Sequence, residues 1–191
     1  MGLDLDWIRG IVLGSRINDV TYRGRRYLYI VNEISTGVPI VHPKTLEVIG
    51  EWVRMELDKV GEIDYILTFE AMGIHVSSIA SIKTGIPFII AKKKRVLGDM
   101  LEVDRGRNKL YIARDIVDSR IVILDSIIST GDTVISTVRA LRNHNVDVRK
   151  VLAVIDRMDM GGSRRVRELT GIDVESMVKI WVKPDGVSAD G

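Results

Sequence analysis

Apolar runs and helical stripes alternate along most of this chain. Residues 63–69, 87–91, 121–124, 148–155 and 176–182 are short runs rich in Ile and Val, the pattern of strands buried on both faces. Between them lie helical patterns. After Pro43, the positions Leu46, Ile49, Val53, Leu57 and Val60 share one face, and Gly61 marks the stop. Residues 74–83 and 133–143 continue the series, and 163–169 reads as a short helix capped by Ser163 and closed by Gly171. Strand and helix alternate from 43 to 155, which predicts an α/β fold, a parallel β-sheet flanked by helices. Residues 7–41 read as short strands and turns, with 27–31 the clearest strand. Residues 95–108 are polar and rich in Gly and Arg, which predicts a mobile loop returning through a strand at 109–113.

Composition narrows the class. A chain of 191 residues with 46% apolar content suits one domain with a sizeable core. Twenty-eight basic against 26 acidic residues give a net charge of +2, too balanced for a dedicated nucleic-acid binder. No cysteine is present, which excludes a disulfide framework or thiolate metal site and fits a reducing cytoplasm. No apolar run approaches ~18 residues and the start lacks a basic leader, so neither a membrane span nor a signal peptide is expected. His42, His75 and His144 sit on different elements without ligand spacing.

The chemistry concentrates in Asp125-Ser126-Ile127-Ile128-Ser129-Thr130-Gly131-Asp132-Thr133, between an apolar run and a helical stripe. The first amides of a helix have no internal partner and carry the positive end of its dipole. Gly131 allows close backbone approach, and Ser129, Thr130 and Thr133 add hydroxyls, so the turn suits a phosphate. Asp125, at the end of the run, can accept hydrogen bonds from sugar hydroxyls beside that phosphate. A second turn, Glu70-Ala71-Met72-Gly73, also follows an apolar run and precedes a helix. It is suited to a diphosphate. Lys92, Lys93, Lys94 and Arg95 then form a run of four cations. Both turns fall at carboxyl ends of expected parallel strands, where ligands bind in open α/β sheets. The simpler reading of each, an ordinary capped turn or a solvated charge run, leaves their coincidence unused.

The first motif resembles the phosphoribosyl diphosphate (PRPP) motif of the type I phosphoribosyltransferases: a hydrophobic run, two acids, two apolar residues, a small residue, then Thr-Gly-x-Thr. Asp125, Ile127, Ile128, Ser129, Thr130, Gly131 and Thr133 match. Ser126 stands where a second acid is usual, and Asp132 where Gly is common. Glu70-Ala71-Met72-Gly73, then Gly85-Ile86-Pro87-Phe88 and Lys92-Lys93, resemble the purine branch, in particular archaeal enzymes of the hypoxanthine/guanine-like group, adenine-using members included. The likeness spans about 37–182.

The resemblance implies a Rossmann-like sheet with a small hood from the chain ends. That gives a single domain over 1–191, with a core at about 43–160 and hood segments at about 1–42 and 161–191. It implies transfer of the 5-phosphoribosyl group of PRPP to a purine base, giving a nucleoside 5′-monophosphate and pyrophosphate. Asp125 would be the catalytic carboxylate on the ribose, with Ser126 beside it. Ser129, Thr130, Gly131, Asp132 and Thr133 would hold the 5′-phosphate, and Glu70, Ala71, Met72, Gly73, Lys92 and Lys93 the pyrophosphate. Mg2+ would arrive with PRPP and waters, with Asp125 as its one protein contact. Ser129 occupies a place that holds an acid in well-known 6-oxopurine enzymes, which points to adenine and AMP; hypoxanthine/guanine transfer is the alternative. Ser126 and Asp132 motivate another, a PRPP- or nucleotide-sensing regulator without turnover. Trp181 is a candidate for the base pocket and Tyr22, Tyr27 and Tyr29 for the hood, and a cytoplasmic homodimer or higher homo-oligomer is expected.

Overall fold

The computed structural model describes residues 3–22, 24–106 and 108–190. Arg107, counted in the expected mobile loop, and the side chain of Tyr22, a candidate for the hood, lie outside the described residues. The chain opens with a helix, α1 (Leu5–Leu13), where strands and turns were expected. Its signal is short: Asp4 accepts the Trp7 N–H at 3.1 Å as an N-cap, and Ile8 and Val12 repeat at helical spacing and are fully buried. An antiparallel hairpin follows, β1 (Arg16–Tyr22) and β2 (Arg25–Val31). Then come α2 (Pro43–Asp58), begun by Pro43, β3 (Tyr65–Phe69), α3 (Gly73–Thr84) and β4 (Phe88–Ala91), close to expectation.

Part of the expected loop at 95–108 is strand. Met100, Leu101 and Val103 are buried, and β5 (Met100–Asp104) pairs antiparallel with β6 (Lys109–Ala113). Alternating apolar side chains outweigh the polar composition there. The motif strand, β7 (Arg120–Ile128), runs four residues past Leu124. It is followed by α4 (Asp132–Arg142), β8 (Asp147–Arg157), α5 (Gly162–Thr170), β9 (Val174–Lys183) and β10 (Gly186–Ala189).

The main sheet has the order β10-β9-β8-β7-β3-β4, parallel except for the β10 edge. The carboxyl-terminal segment therefore belongs to the core sheet and not to a hood. Val178, Ile180 and Val182 alternate along β9 and are buried, and the two-residue Pro184-Asp185 turn folds β10 back onto it. The sheet is buried on both faces. Val122 and Leu124 pack with Ile49, Val53 and Val76 of α2 and α3, while Ile121 and Ile123 pack with Val134, Val138, Leu141 and Val166 of α4 and α5. Among the described residues, no helix is long and apolar enough to cross a membrane.

The chain places β4 on one side of β3 and then returns to place β7 on the other. Above the carboxyl ends of β3 and β7 the connections therefore diverge, and a crevice opens.

Candidate active site

Both anion turns converge on that crevice. Gly73 is the first residue of α3, whose N-cap, Met72, offers no side-chain cap to the free amides. A Cβ on Gly73 would lie 2.1 Å from Thr68 Oγ1 and 3.5 Å from Asp125 Oδ1. Thr68 is fully buried and donates to the Leu124 carbonyl at 2.8 Å. Glycine is thus required for the N-terminus of α3 to sit against β7, and this puts its amides beside the Asp125 carboxylate. The Glu70–Ala71 peptide in the same turn is cis.

Glu70 faces the basic run. Its carboxylate accepts the Lys93 N–H at 2.7 Å and lies 3.5 Å from the Lys92 ammonium. The Lys92 backbone is pinned by paired hydrogen bonds with Tyr111. Glu70 and Lys92 therefore join the turn to the end of β4, and Lys93 is left as the exposed cation of the pair with no ion-pair partner among the described residues.

Asp125 does not cap the strand as expected. It lies inside β7, because Ile127 and Ile128 continue the pairing with Ile155 and Asp156 of β8. Burial pushes its carboxyl up to about 7, against the opposing pull of the Ser126 and Ile127 backbone N–H groups. The Ser126 N–H donates to Oδ1 at 2.8 Å. Ser126 itself is fully buried within the strand, with its hydroxyl unpartnered.

The cradle proper is three residues of turn plus the first turn of α4. Gly131 is its N-cap in the left-handed region, at φ 74°. Asp132, the first residue of α4, accepts the Thr130 hydroxyl at 2.9 Å and faces Arg165 at 3.0 Å. Arg165 also donates to the Thr130 carbonyl. Behind the turn, the start of α5 is pressed against it: a Cβ on Gly162 would lie 2.1 Å from the Ser129 carbonyl oxygen. Thr133 follows in the helix, half-buried.

The β1–β2 hairpin covers the cradle. The Tyr27 hydroxyl lies 3.2 Å from Ser129 Oγ. A cavity of about 930 Å³ opens between hairpin and cradle, lined by Val20, Tyr27, Tyr29, Ser129, Thr130 and Met160 among others. Arg157, 2% exposed at the end of β8, latches the hairpin down. It donates to the Leu28 carbonyl, pairs with Asp159 at 2.6 Å, and lies 5.1 Å from the Tyr27 ring centre. Tyr27 and Tyr29 thus take the hood position expected of them. Trp181 does not line this cavity; it sits opposite Ser188 in the β9–β10 pair. The sequence reading missed Arg157, Asp159, Gly162 and Arg165. The Gly161-Gly162 pair was their one local signal, a close backbone approach whose partner lies more than thirty residues away.

Comparisons with known proteins agree with this geometry. The family described as Phosphoribosyl transferase domain matches residues 41–184. A hypoxanthine/guanine phosphoribosyltransferase of Methanothermobacter thermautotrophicus is 38% identical over 172 residues, 86% of either chain. One from Methanosalsum zhilinae is 36% identical over 178 residues, 91% of either chain. Among solved structures, adenine phosphoribosyltransferase from Leishmania tarentolae superposes with a TM-score of 0.75 at 16% identity, covering 92% of this chain and 87% of that one. The Trypanosoma brucei enzyme in complex with AMP, pyrophosphate and ribose-5-phosphate gives 0.75 at 14% identity, covering 92% and 79%. At such identities the structures speak to the fold, while the family match and the archaeal relatives speak to descent, and together with the paired anion turns at the switch point they show that this chain belongs to the phosphoribosyltransferase family, type I.

Proposed function

We propose that this protein transfers the 5-phosphoribosyl group of PRPP to a purine base, with hypoxanthine and guanine preferred over adenine. The observation that carries the transfer is the meeting of two helix N-termini around one half-buried carboxylate: α3 beside Asp125, and α4 beyond the same strand. The spacing suits diphosphate, ribose and 5′-phosphate in that order. The α4 amides with Ser129, Gly131 and Thr133 hold the 5′-phosphate, and the ionised Asp125 accepts the ribose hydroxyls. The Ala71–Gly73 backbone and Lys93 hold the diphosphate. As the bond from C1′ to the diphosphate oxygen breaks, negative charge grows on the leaving group, and Lys93 and the α3 amides are fixed where it grows. A ring nitrogen of the base forms the new bond to C1′ as the bond to the diphosphate oxygen breaks, and its proton passes to solvent. The protein contributes orientation and charge complementarity, with no covalent intermediate.

Among the described residues, no three metal-ligating side chains cluster. A single half-buried carboxylate fits a magnesium ion that would enter on PRPP and that, when bound, would neutralise charge on the diphosphate. Asp125 is the residue that would touch it.

The base belongs in the cavity under the β1–β2 hairpin, beside Tyr27, Tyr29 and Met160. Two supports favour 6-oxopurines. The relatives at 36–38% identity carry that name. The Ser129 hydroxyl, from which adenine was expected, lies within hydrogen-bond distance of Tyr27, so its smallness is accounted for by hood packing. Adenine is the second reading, resting on the absence of an acid at Ser129. The test is incubation with PRPP, magnesium and each of hypoxanthine, guanine, adenine, xanthine and orotate. Higher kcat/KM with adenine than with hypoxanthine or guanine would reverse the order. Binding of PRPP without turnover of any base would leave a sensor in place of an enzyme.

A further inference from the structure

We infer that Arg165 is a positioning residue for the 5′-phosphate: it neutralises Asp132 and fixes the peptide of Thr130, so that a turn carrying a carboxylate can still accept an anion. The inference rests on the cradle assignment above. Asp132 stands at the first position of α4, among the amides that point at the phosphate. An unpaired carboxylate there repels a phosphate dianion at short range. The structure gives each carboxylate oxygen a partner. Oδ2 accepts the Thr130 hydroxyl at 2.9 Å, and Oδ1 faces Arg165 Nη1 at 3.0 Å. The same Nη1 donates to the Thr130 carbonyl, which turns that oxygen toward α5 and away from the anion. One guanidinium thus removes two negative groups from the cradle. Arg105 of the β5–β6 hairpin lines the same two cavities as Asp132 and adds positive charge near the Arg165–Asp132 pair.

The pair is solvent-exposed, 41% for Arg165 and 54% for Asp132. Exposed pairs contribute little to folding stability. A role in stability and a role in anion binding therefore separate in experiment.

The experiment is calorimetric titration of the wild type, R165M, D132N and the double variant with ribose 5-phosphate, alongside transfer kinetics and thermal melting. R165M is expected to weaken ribose 5-phosphate at least tenfold with little change in Tm, and its loss in transfer to fall on KM for PRPP and not on kcat. D132N is expected to tighten ribose 5-phosphate two- to threefold. The double variant is expected to return to within threefold of wild type, because removing the carboxylate removes the need for the cation. R165M within twofold of wild type, or a double variant as weak as R165M, overturns the inference, the latter by showing that Arg165 only shapes the loop. A wild type that binds ribose 5-phosphate but transfers it to no base refutes the transferase reading, while the affinity series still decides this one. A wild type with no affinity for ribose 5-phosphate removes the cradle and this inference together.

Discussion

Asp125 carries opposite demands for stability and function. Its carboxyl is shifted up to about 7 by burial, whereas an unfolded aspartate ionises near 3.9. The folded protein therefore keeps a proton that the unfolded chain releases, and stability falls as pH rises from about 4 to about 7. Asp125→Asn removes that loss. The variant is expected to melt higher than wild type at pH 8, by about 2 kcal/mol after allowance for partial exposure, and equally at pH 4. Thermal melts across this range check it; a variant less stable at pH 8 than wild type would refute it. For activity the sign reverses. Asp125→Asn is expected to slow transfer at least tenfold, about 1.4 kcal/mol in the barrier, because no second carboxylate stands beside it: Ser126 is buried in the strand. The wild-type kcat/KM for PRPP should rise with pH through about 7 as Asp125 ionises, and a flat profile from pH 5.5 to 8.5 would remove Asp125 from that role.

At the scale of elements, the cradle is an encounter of two helix starts. Gly131 and Gly162 let α4 and α5 begin against each other, and Gly162→Ala would drive a Cβ to 2.1 Å from the Ser129 carbonyl and 2.8 Å from the Gly131 nitrogen. Backbone must shift to accept it. The expected cost is about 1–3 kcal/mol in stability, with at least a tenfold rise in KM for PRPP. Gly186→Ala in β10, where a Cβ meets nothing within 4 Å, is the control expected to do neither. The β5–β6 hairpin is a second element-scale feature. Its buried Leu101, Val103, Leu110 and Ile112 give β5 and β6 a core contact that the flanking segment 93–99 lacks. Hydrogen exchange should find the two strands protected in the free protein and the flank fast, with the flank slowing when PRPP and a base analogue are bound. Fast exchange throughout the hairpin would mean that it is not folded before ligand arrives.

The whole molecule is a buried parallel sheet with one small hairpin latched over its working edge. Arg157 is the latch, since it binds the β2 backbone from the end of β8 and is held by Asp159. Arg157→Met strands Asp159 beside the cavity and frees the hairpin. The expected loss is about 1–2 kcal/mol of stability, that of the hydrogen bonds Arg157 makes to the Leu28 carbonyl and to Asp159. KM for the base should rise more than KM for PRPP, because the hairpin covers the base side of the cradle. Equal changes in both would mean that Arg157 supports the fold generally and not the base pocket.

The strand–helix alternation from Pro43 to Ile155 and the two anion turns were legible from the chain alone, because periodicity, Gly placement and hydroxyl-rich turns are properties of contiguous residues. Asp125, Gly73 and Gly131 were recognisable as a candidate site for the same reason. Helix α1 was legible in principle through Asp4, Ile8 and Val12, but its short stripe lies in a stretch otherwise rich in β-branched and aromatic residues. The tertiary structure decided the rest. It showed that β7 continues past Asp125, that Ser126 is buried, and that Glu70 turns to Lys92, since burial and ion pairing depend on neighbouring strands. It placed β9 and β10 in the core sheet and left the β1–β2 hairpin as the hood. It also joined Arg165 to Asp132 and Arg157 to Leu28. Such partners, far apart in the chain, meet only when the sheet brings their strand ends to one edge.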